Sequence, residues 1–249
     1  MDLQELCESG QQALMRTEYI EAEALLVEAE AIALKHEVWE TLARLYMPLQ
    51  EARRQRRQLC GEGIIAVDLV ARAEEQVFDA EVVADEIQQG QLLVAGWGTI
   101  EPSVQLREIA QRRKLYVETF LAVSYPVGAE IAVAIVPTAD VTLPPVYPNE
   151  DSTWSPDALF AKLPPHSVLM HADDLPKGRR EGNTETFAAT MAVWEKLHAP
   201  FLAAAKATPD PRRRIDAYRS CIAVDYACEK AHQWLSDTAA GMEHAGKTE

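Results

Sequence analysis

Histidine and aspartate side chains are concentrated in one short stretch of this 249-residue sequence. The four residues, which fall within nine positions, are His166, His171, Asp173 and Asp174. Imidazole and carboxylate groups together form the ligand sets of zinc and non-haem iron, so the stretch is a candidate metal site. The spacing of His171 and Asp173 matches no established metal motif, and acidic residues before a Leu-Pro pair are ordinary in surface turns. A metal site and a surface turn both stay open.

The segment Gly96–Thr99, with the sequence Gly-Trp-Gly-Thr, is a candidate phosphate site. It follows a predicted strand and precedes a predicted helix at Ser103, a position in which backbone N–H groups and a helix N-terminus bind anions. It matches neither the GxGxxG nor the GxxxxGK(S/T) motif, and Glu101 would repel an anion. The alternative is that the two glycines only allow the chain to turn away from the sheet.

The cysteines give no sign of nucleophilic catalysis. The sequence has no GxSxG motif, and no cysteine has a histidine beside it in a predicted loop. Cys221 and Cys228 lie on apolar helical faces, where a buried and unreactive thiol is expected. Cys7 and Cys60 carry no further signal, and four cysteines are too few for a disulfide scaffold. The sequence therefore favours a protein that is not an enzyme and has no cofactor.

The densest basic patch consists of Arg53, Arg54, Arg56 and Arg57. At helical spacing these side chains cover about 160° of one helix face. Such a patch could bind a carboxylate-rich peptide of a partner protein. It could also neutralise the acidic helices predicted in residues 1–40, and we favour this second interpretation because runs of charge are usually paired locally.

Residues 1–60 and 184–249 predict helices, because they are rich in Ala, Leu, Glu, Gln and Arg. Apolar residues recur there every three or four positions, which places them on one helix face. Pro48 interrupts this pattern without an accompanying Gly, Asn or Asp, so we expect a kinked but continuous helix that reaches about residue 58.

Residues 61–136 predict a small α/β domain. The predicted strands cover residues 64–70, 92–97, 116–123 and 131–136, and the predicted helices cover residues 80–89 and 103–113. Apolar strands that alternate with helices favour a mostly parallel sheet, with residues 131–136 as an antiparallel edge strand. Residues 137–183 contain eight of the 14 prolines. Because they also carry large apolar side chains, we expect an ordered segment that adds a strand at residues 167–171.

Small and large apolar residues alternate in both helical segments. The stretches that contain this pattern, together with a few polar residues between the apolar ones, include in the first segment Tyr19, Ile20, Glu21, Ala22, Leu26, Ala29, Trp39, Leu42, Ala43 and Tyr46. Those of the second are Trp194, Leu197, Phe201, Ala217, Tyr218, Cys221, Ile222, Val224, Asp225, Ala231, His232, Trp234 and Leu235. This pattern resembles the tetratricopeptide repeat over about half of the chain. The resemblance implies stacked helical hairpins that bind another protein, commonly through a carboxylate-rich peptide.

The composition excludes several classes of partner. The 39 acidic and 24 basic side chains give a net charge of -15, and an acidic surface repels nucleic acid and anionic membranes. No apolar stretch approaches the ~20 residues of a spanning helix, and the first residues lack the pattern of a signal peptide. We therefore expect a cytoplasmic protein with no nucleic-acid or membrane partner.

The predicted fold class is mixed α and β, with a tetratricopeptide-like helical bundle (residues 1–60 and 184–249), an inserted α/β domain (residues 61–136) and a proline-rich segment (residues 137–183). The favoured function is a non-catalytic interaction or scaffold protein that binds another protein or an acidic peptide, and a homo-oligomer stays open. The alternative is an α/β domain, enzymatic or not, that binds a small anionic ligand or nucleotide at the loops after two strands. Its ligand-binding residues would be Asp68, Arg72, Gly96, Gly98, Thr99 and Ser103.

Overall fold

The structure, a computed structural model, describes residues 1–149 and 152–246. These residues form nine α-helices and a six-stranded sheet, which confirms the mixed α and β fold class. The chain divides into two compact units. Met1–Gln58 and the described residues from His198 onward form the first, here called the helical unit, and Leu59–Leu197 form the second, here called the sheet unit.

The helices follow the predicted pattern closely. They are α1 Leu3–Met15, α2 Tyr19–Lys35, α3 Trp39–Glu62, α4 Ala80–Glu86, α5 Glu101–Arg113, α6 Pro156–Phe160, α7 Thr184–Ala207, α8 Pro211–Val224 and α9 Glu229–Gly246. Helix α1 begins with a capping box, in which the Asp2 side chain accepts from the Glu5 backbone and the Glu5 side chain accepts from that of Asp2. Helix α3 continues through Pro48, as expected.

The core of the helical unit contains side chains from both ends of the chain. Leu26, Leu42 and Leu49 of the N-terminal segment belong to the same apolar cluster as Ile215 and Leu235 of the C-terminal segment. Each of these five side chains is at most 2% exposed. Neither segment therefore buries its apolar face alone.

The strands are β1 Ile64–Val70, β2 Gln89–Trp97, β3 Tyr116–Val127, β4 Glu130–Val136, β5 Val168–His171 and β6 Arg180–Glu181. They are ordered β5-β4-β3-β2-β1-β6. Within residues 61–136 the β1/β2 and β2/β3 pairings are parallel and the β3/β4 pairing is antiparallel, as expected. The β4/β5 and β1/β6 pairings are also antiparallel, so the six-stranded sheet as a whole is mixed and not mostly parallel. The cause lies in residues 137–183, which add β5 beside β4 and β6 beside β1. Strand β4 is antiparallel, as expected, but it does not lie at the edge of the sheet.

Side chains of the sheet alternate between two faces. Leu92 packs towards α4 and α5 on one face. Phe120 lies on the other face, where its ring contacts the Trp194 ring of α7 at a centroid distance of 4.4 Å. Leu93 and Val94 of β2 and Val133 and Ile135 of β4 are all at most 2% exposed, so they belong to the core of the sheet unit.

The described residues of the proline-rich segment include apolar side chains that pack against the sheet. Trp154, Leu159 and Leu163 pack with Tyr125 of β3 in one apolar cluster, and β5 confirms the additional strand expected at residues 167–171. Among the described helices, none is both long and apolar enough to cross a membrane.

Candidate functional site

An apolar cavity of about 280 Å³ lies inside the sheet unit. One wall is the sheet face that carries Ile65, Leu93, Phe120 and Ile135, and the opposite wall includes Ala189 and Val193 of α7. The remaining apolar lining residues are Val67, Met170, Leu175 and Pro176. A concave space with apolar walls is the usual form of a small-molecule site.

Most polar side chains around the cavity already have a partner within the chain. The Asn183 carboxamide accepts hydrogen bonds from the backbone N–H groups of Glu185 and Thr186, which caps α7. The Thr190 hydroxyl donates to the Thr186 carbonyl at 3.0 Å. These groups hold the first turns of α7 in place, so they define the shape of the cavity.

Glu185 and Arg180 are the exceptions among the described residues, and Arg180 is the cation of the two. It is the direct antiparallel partner of Ile65, so its side chain projects from the same face of the sheet as that cavity-lining residue. Its guanidinium has no hydrogen-bond or ion-pair partner among the described residues, whereas that of its neighbour Arg179 pairs with Glu86. Within the described part of the chain, Arg180 therefore places an unengaged guanidinium at the edge of the cavity.

The predicted phosphate loop is occupied by internal contacts. The Gly98 N–H donates to the Ser124 carbonyl, and the Ser103 hydroxyl, which is fully buried, donates to the Ile100 carbonyl. Gly98 has a φ of 66°, and a Cβ there would lie 2.2 Å from Val146, so this position requires glycine. Gly96 and Thr99 pair with each other across the turn. The geometry favours a turn at the carboxyl end of β2, a central strand of the sheet.

The other two residues of the predicted anion site also have partners. Asp68 accepts a hydrogen bond from the Gly178 N–H at 2.8 Å, and Arg72 donates to Asp173 at 3.0 Å. None of the six predicted ligand-binding residues lines the cavity. The cavity lies under the sheet face and not at the ends of the parallel strands, where the sequence had placed a ligand.

The structure does not bring the predicted metal ligands together. His171 pairs with Glu130 at 2.8 Å, whereas Asp173 accepts from Lys177 and Arg72, and hydrogen bonds from these two cations lower its pKa. Neither His166 nor Asp174 joins them in a group of three or more close donor atoms in the described chain. The segment has the contacts of a surface turn.

Two arginines of the predicted basic patch contact one largely buried carboxylate, that of Glu23, whose side chain is 13% exposed. Arg53 Nε and Arg56 Nη1 donate to the two oxygen atoms of Glu23, at 2.9 and 2.7 Å. Burial raises the pKa of Glu23, but the two guanidiniums outweigh this effect and hold the pKa below its usual value. These arginines neutralise Glu23 of helix α2.

The other two arginines also pair within the chain. Arg57 is 3% exposed and donates to Asp225 at 2.7 Å, and the exposed Arg54 pairs with Glu51 on the same helix. Arg54 is therefore the one exposed arginine of the four, and the geometry favours local neutralisation as the role of the patch.

A cluster of ionisable side chains surrounds Asp225 in the helical unit. His198 Nδ1 lies 2.6 Å from Asp225 Oδ2, and Arg57 donates to Oδ1. Burial opposes ionisation of Asp225, but these two partners hold its pKa at about 2. Burial also opposes protonation of His198, but hydrogen bonds with Asp225 and Cys228 raise its pKa to about 9. At neutral pH the cluster contains a charged imidazolium.

Two thiols complete this cluster. The sulfur atoms of Cys221 and Cys228 are 3.9 Å apart, and both residues are at most 3% exposed. The hydrogen bond from Cys221 and the His198 charge lower the pKa of Cys228, although burial opposes them. The pKa of Cys221 is raised, because Cys228 accepts its proton in a hydrogen bond and because the thiol is buried.

The donor atoms of His198, Asp225 and Cys228 lie within 4.8 Å of one another, a spacing that a metal ion could use. However, both Asp225 oxygen atoms already accept hydrogen bonds, and a cation there would face the Arg57 guanidinium. The set fits a metal poorly, and we describe it as a hydrogen-bonded thiol and imidazole cluster.

Comparison with protein-family models, curated proteins and solved structures finds no match to this chain. The cavity and the thiol cluster were both missed by sequence reasoning. The spacing of seven residues between Cys221 and Cys228, with an aspartate between them, is the one local signal for the cluster. His198 lies 27 residues before Asp225 and joins only through tertiary packing.

Proposed function

We propose that the sheet unit binds a small, largely apolar molecule that carries a carboxylate. The observation that carries this proposal is the cavity of about 280 Å³ with apolar walls. An engineered apolar cavity of roughly 150 Å³ binds benzene, so this space suits a larger ring compound or a medium-chain acid. Burial of apolar surface supplies the affinity at about 25 cal/mol per Å².

The carboxylate is inferred from Arg180. Its guanidinium has no partner among the described residues and projects from the face that carries Ile65. A guanidinium binds a carboxylate through two parallel hydrogen bonds. Glu185 also borders the cavity, but it lies in the first turn of α7, where the helix dipole stabilises a negative charge.

Octanoate is a suitable probe, and the full chain can be titrated by calorimetry. Ala189 lines the cavity, whereas its neighbour Ala188 in α7 does not, and both are exposed. Ala189→Trp should fill the cavity and abolish octanoate binding, while Ala188→Trp should leave it unchanged. Equal affinity in both variants, or no binding to the unmodified chain, would contradict the proposal.

The role of the head group is tested by comparing octanoate with octanol. Arg180→Gln should weaken octanoate binding about tenfold or more, as expected for loss of a charge-assisted pair, and leave octanol binding unchanged. Arg179→Gln is the matched control, because Arg179 already pairs with Glu86. Preferential binding of octylamine would show that Glu185 binds a cationic head group, and it would refute the proposal that the ligand carries a carboxylate.

For the helical unit we propose a tetratricopeptide-like hairpin architecture, with protein binding as its second candidate function. Its support is the close approach of α1 and α2, where a Cβ at Gly10 would lie 2.7 Å from Leu26. Ala22, Ala29 and Ala33 of α2 are all fully buried. Arg54 is the exposed arginine of the patch. Weaker binding of an acidic peptide to Arg54→Gln than to the unmodified chain would support this function. No binding of the peptide to the unmodified chain would exclude the Arg54 surface.

A further inference from the structure

We propose that Cys221 and Cys228 form a peroxide-reactive dithiol that closes to an intramolecular disulfide, with Cys228 as the attacking sulfur and Cys221 as the resolving thiol. The two sulfur atoms are 3.9 Å apart. A disulfide has an S–S length of about 2.05 Å, so the sulfur atoms must approach by roughly 2 Å. The turn between α8 and α9, which separates the two cysteines, is where this movement would occur.

Position in the fold distinguishes the two cysteines. Cys228 immediately precedes α9, its carbonyl accepts from the His232 N–H, and its sulfur accepts from the Ala231 N–H. A sulfur at a helix N-terminus is stabilised as the thiolate. Cys221 lies inside α8 and donates to Cys228. The attacking sulfur is therefore stabilised by groups that its partner lacks.

His198 provides the second stabilising group. Its imidazole is held by Asp225 at 2.6 Å and lies beside the Cys228 sulfur. Asp225 is in turn fixed by Arg57 and by the Ala227 N–H. Helix α3 contributes Arg57 and helix α7 contributes His198, so the cluster is assembled from separate helices. A thiolate beside an imidazolium is the usual arrangement of a reactive cysteine.

The chemistry balances with hydrogen peroxide as the oxidant. The Cys228 thiolate attacks one peroxide oxygen, an S–O bond forms, the O–O bond breaks, and the departing hydroxide takes the His198 proton to become water. The Cys221 sulfur then attacks the Cys228 sulfur, the S–S bond forms and the S–O bond breaks. The released hydroxide takes the Cys221 proton and leaves as a second water. Two thiols are oxidised and one peroxide is reduced.

Burial sets the expected selectivity. Cys221 is fully buried and Cys228 is 3% exposed. A small oxidant can reach such sulfur atoms through local opening, whereas a bulky disulfide reagent cannot attack them in the folded chain. We therefore expect fast oxidation by hydrogen peroxide and little reaction with an aromatic disulfide.

The test uses the full, reduced chain. It is exposed to hydrogen peroxide, quenched with N-ethylmaleimide in denaturant and digested with trypsin, which releases residues 220–230 with both cysteines in one peptide. The form of this peptide that has lost two hydrogens and carries no maleimide should appear at least about tenfold faster than Cys7 and Cys60 lose their maleimide labelling. Ordinary thiols react slowly because they are only a few per cent ionised at neutral pH. Oxidation of all four cysteines at one rate would overturn the proposal.

Variants separate the two roles. Cys221→Ser should leave a sulfenic acid on Cys228 that dimedone traps, Cys228→Ser should leave Cys221 unoxidised, and Cys60→Ser should form the disulfide as the unmodified chain does. His198→Gln should slow the first step, and circular dichroism establishes which variants fold. If a variant does not fold, the oxidation rates of the four cysteines in the unmodified chain still test the proposal. One equivalent of tightly held zinc that protects both thiols would overturn the proposal.

Discussion

Arg53 Nη1 lies 3.0 Å from His232 Nε2, and both side chains are buried. Because a guanidinium can only donate, the imidazole nitrogen that faces it must accept, and the hydrogen of the neutral ring lies on Nδ1. Nδ1 donates that hydrogen to the Cys228 carbonyl at 2.8 Å. His232 is therefore held neutral inside the helical unit, and this carbonyl belongs to the residue proposed to attack peroxide.

The neutral state of His232 predicts an acid-sensitive stability. Burial and the Arg53 charge lower the pKa of His232 to about 4. Below about pH 6.5 the unfolded chain binds a proton that the folded chain excludes, so the free energy of unfolding should fall as the pH falls from 6.5 towards 4. The full effect of this one group is about 3 kcal/mol. Thermal unfolding at several pH values measures it.

His232→Gln should make this pH dependence shallower, because glutamine keeps an acceptor for Arg53 and does not titrate. His36→Gln is the matched control, since His36 is exposed. If both variants retain the slope of the unmodified chain, His232 is not the group responsible.

The Arg57 and Asp225 pair predicts a large effect on stability. Both side chains are at most 3% exposed. Removing one partner leaves a buried charge uncompensated, so Asp225→Asn should lower the free energy of unfolding by about 3–5 kcal/mol. Glu40→Gln removes an exposed pair with Arg44 and should cost at most about 1 kcal/mol. Urea unfolding compares them, and equal losses would show that burial does not control the effect.

The sequence predicted the elements better than their contacts. Apolar periodicity is local, so the strand at residues 64–70 and the helix across Pro48 could be read from neighbouring residues. The order of the sheet depends on β5 and β6, which are short and come from a proline-rich segment without periodicity. Antiparallel pairing at both edges therefore could not be predicted.

For the candidate sites, too, the sequence predicted individual residues better than their contacts. The arginines of α3 were recognisable as a patch, but their partners Glu23 and Asp225 lie 30 or more residues away in sequence. The helical periodicity of Cys221 correctly indicated burial. It contained no information on the imidazole brought beside Cys228 by α7, because that contact depends on how helices pack.

Two helical glycines offer a matched test of the α1 and α2 contact. Alanine is favoured over glycine inside a helix by up to about 1 kcal/mol. At Gly241 of α9 an added Cβ meets nothing within 4 Å, so Gly241→Ala should stabilise the protein by roughly this amount. At Gly10 of α1 the Cβ would lie 2.7 Å from Leu26, so Gly10→Ala should destabilise it. Thermal midpoints that rise in both variants would contradict the close approach of the helices.

The last prediction concerns alkaline pH and the pair formed by His198 and Cys228. The raised pKa of His198, about 9, gives a contribution to stability that is complete below pH 6.5 and is lost as the pH rises through 9. The lowered pKa of Cys228 has the opposite effect, since its contribution grows with pH until the unfolded thiol also ionises near 9.0. Between about pH 6.5 and 9 the folded and unfolded chains therefore bind the same number of protons at these two groups.

The unmodified chain should consequently show little change in unfolding midpoint from these groups between about pH 6.5 and 9. In Cys228→Ser the compensating thiolate is gone, while the Asp225 hydrogen bond still raises the His198 pKa. The midpoint should therefore fall as the pH rises above 6.5, because unfolding then releases the proton that His198 holds. Cys60→Ser keeps both groups and serves as the control. A flat profile in Cys228→Ser would mean that the Asp225 contact alone does not keep His198 protonated in the folded variant.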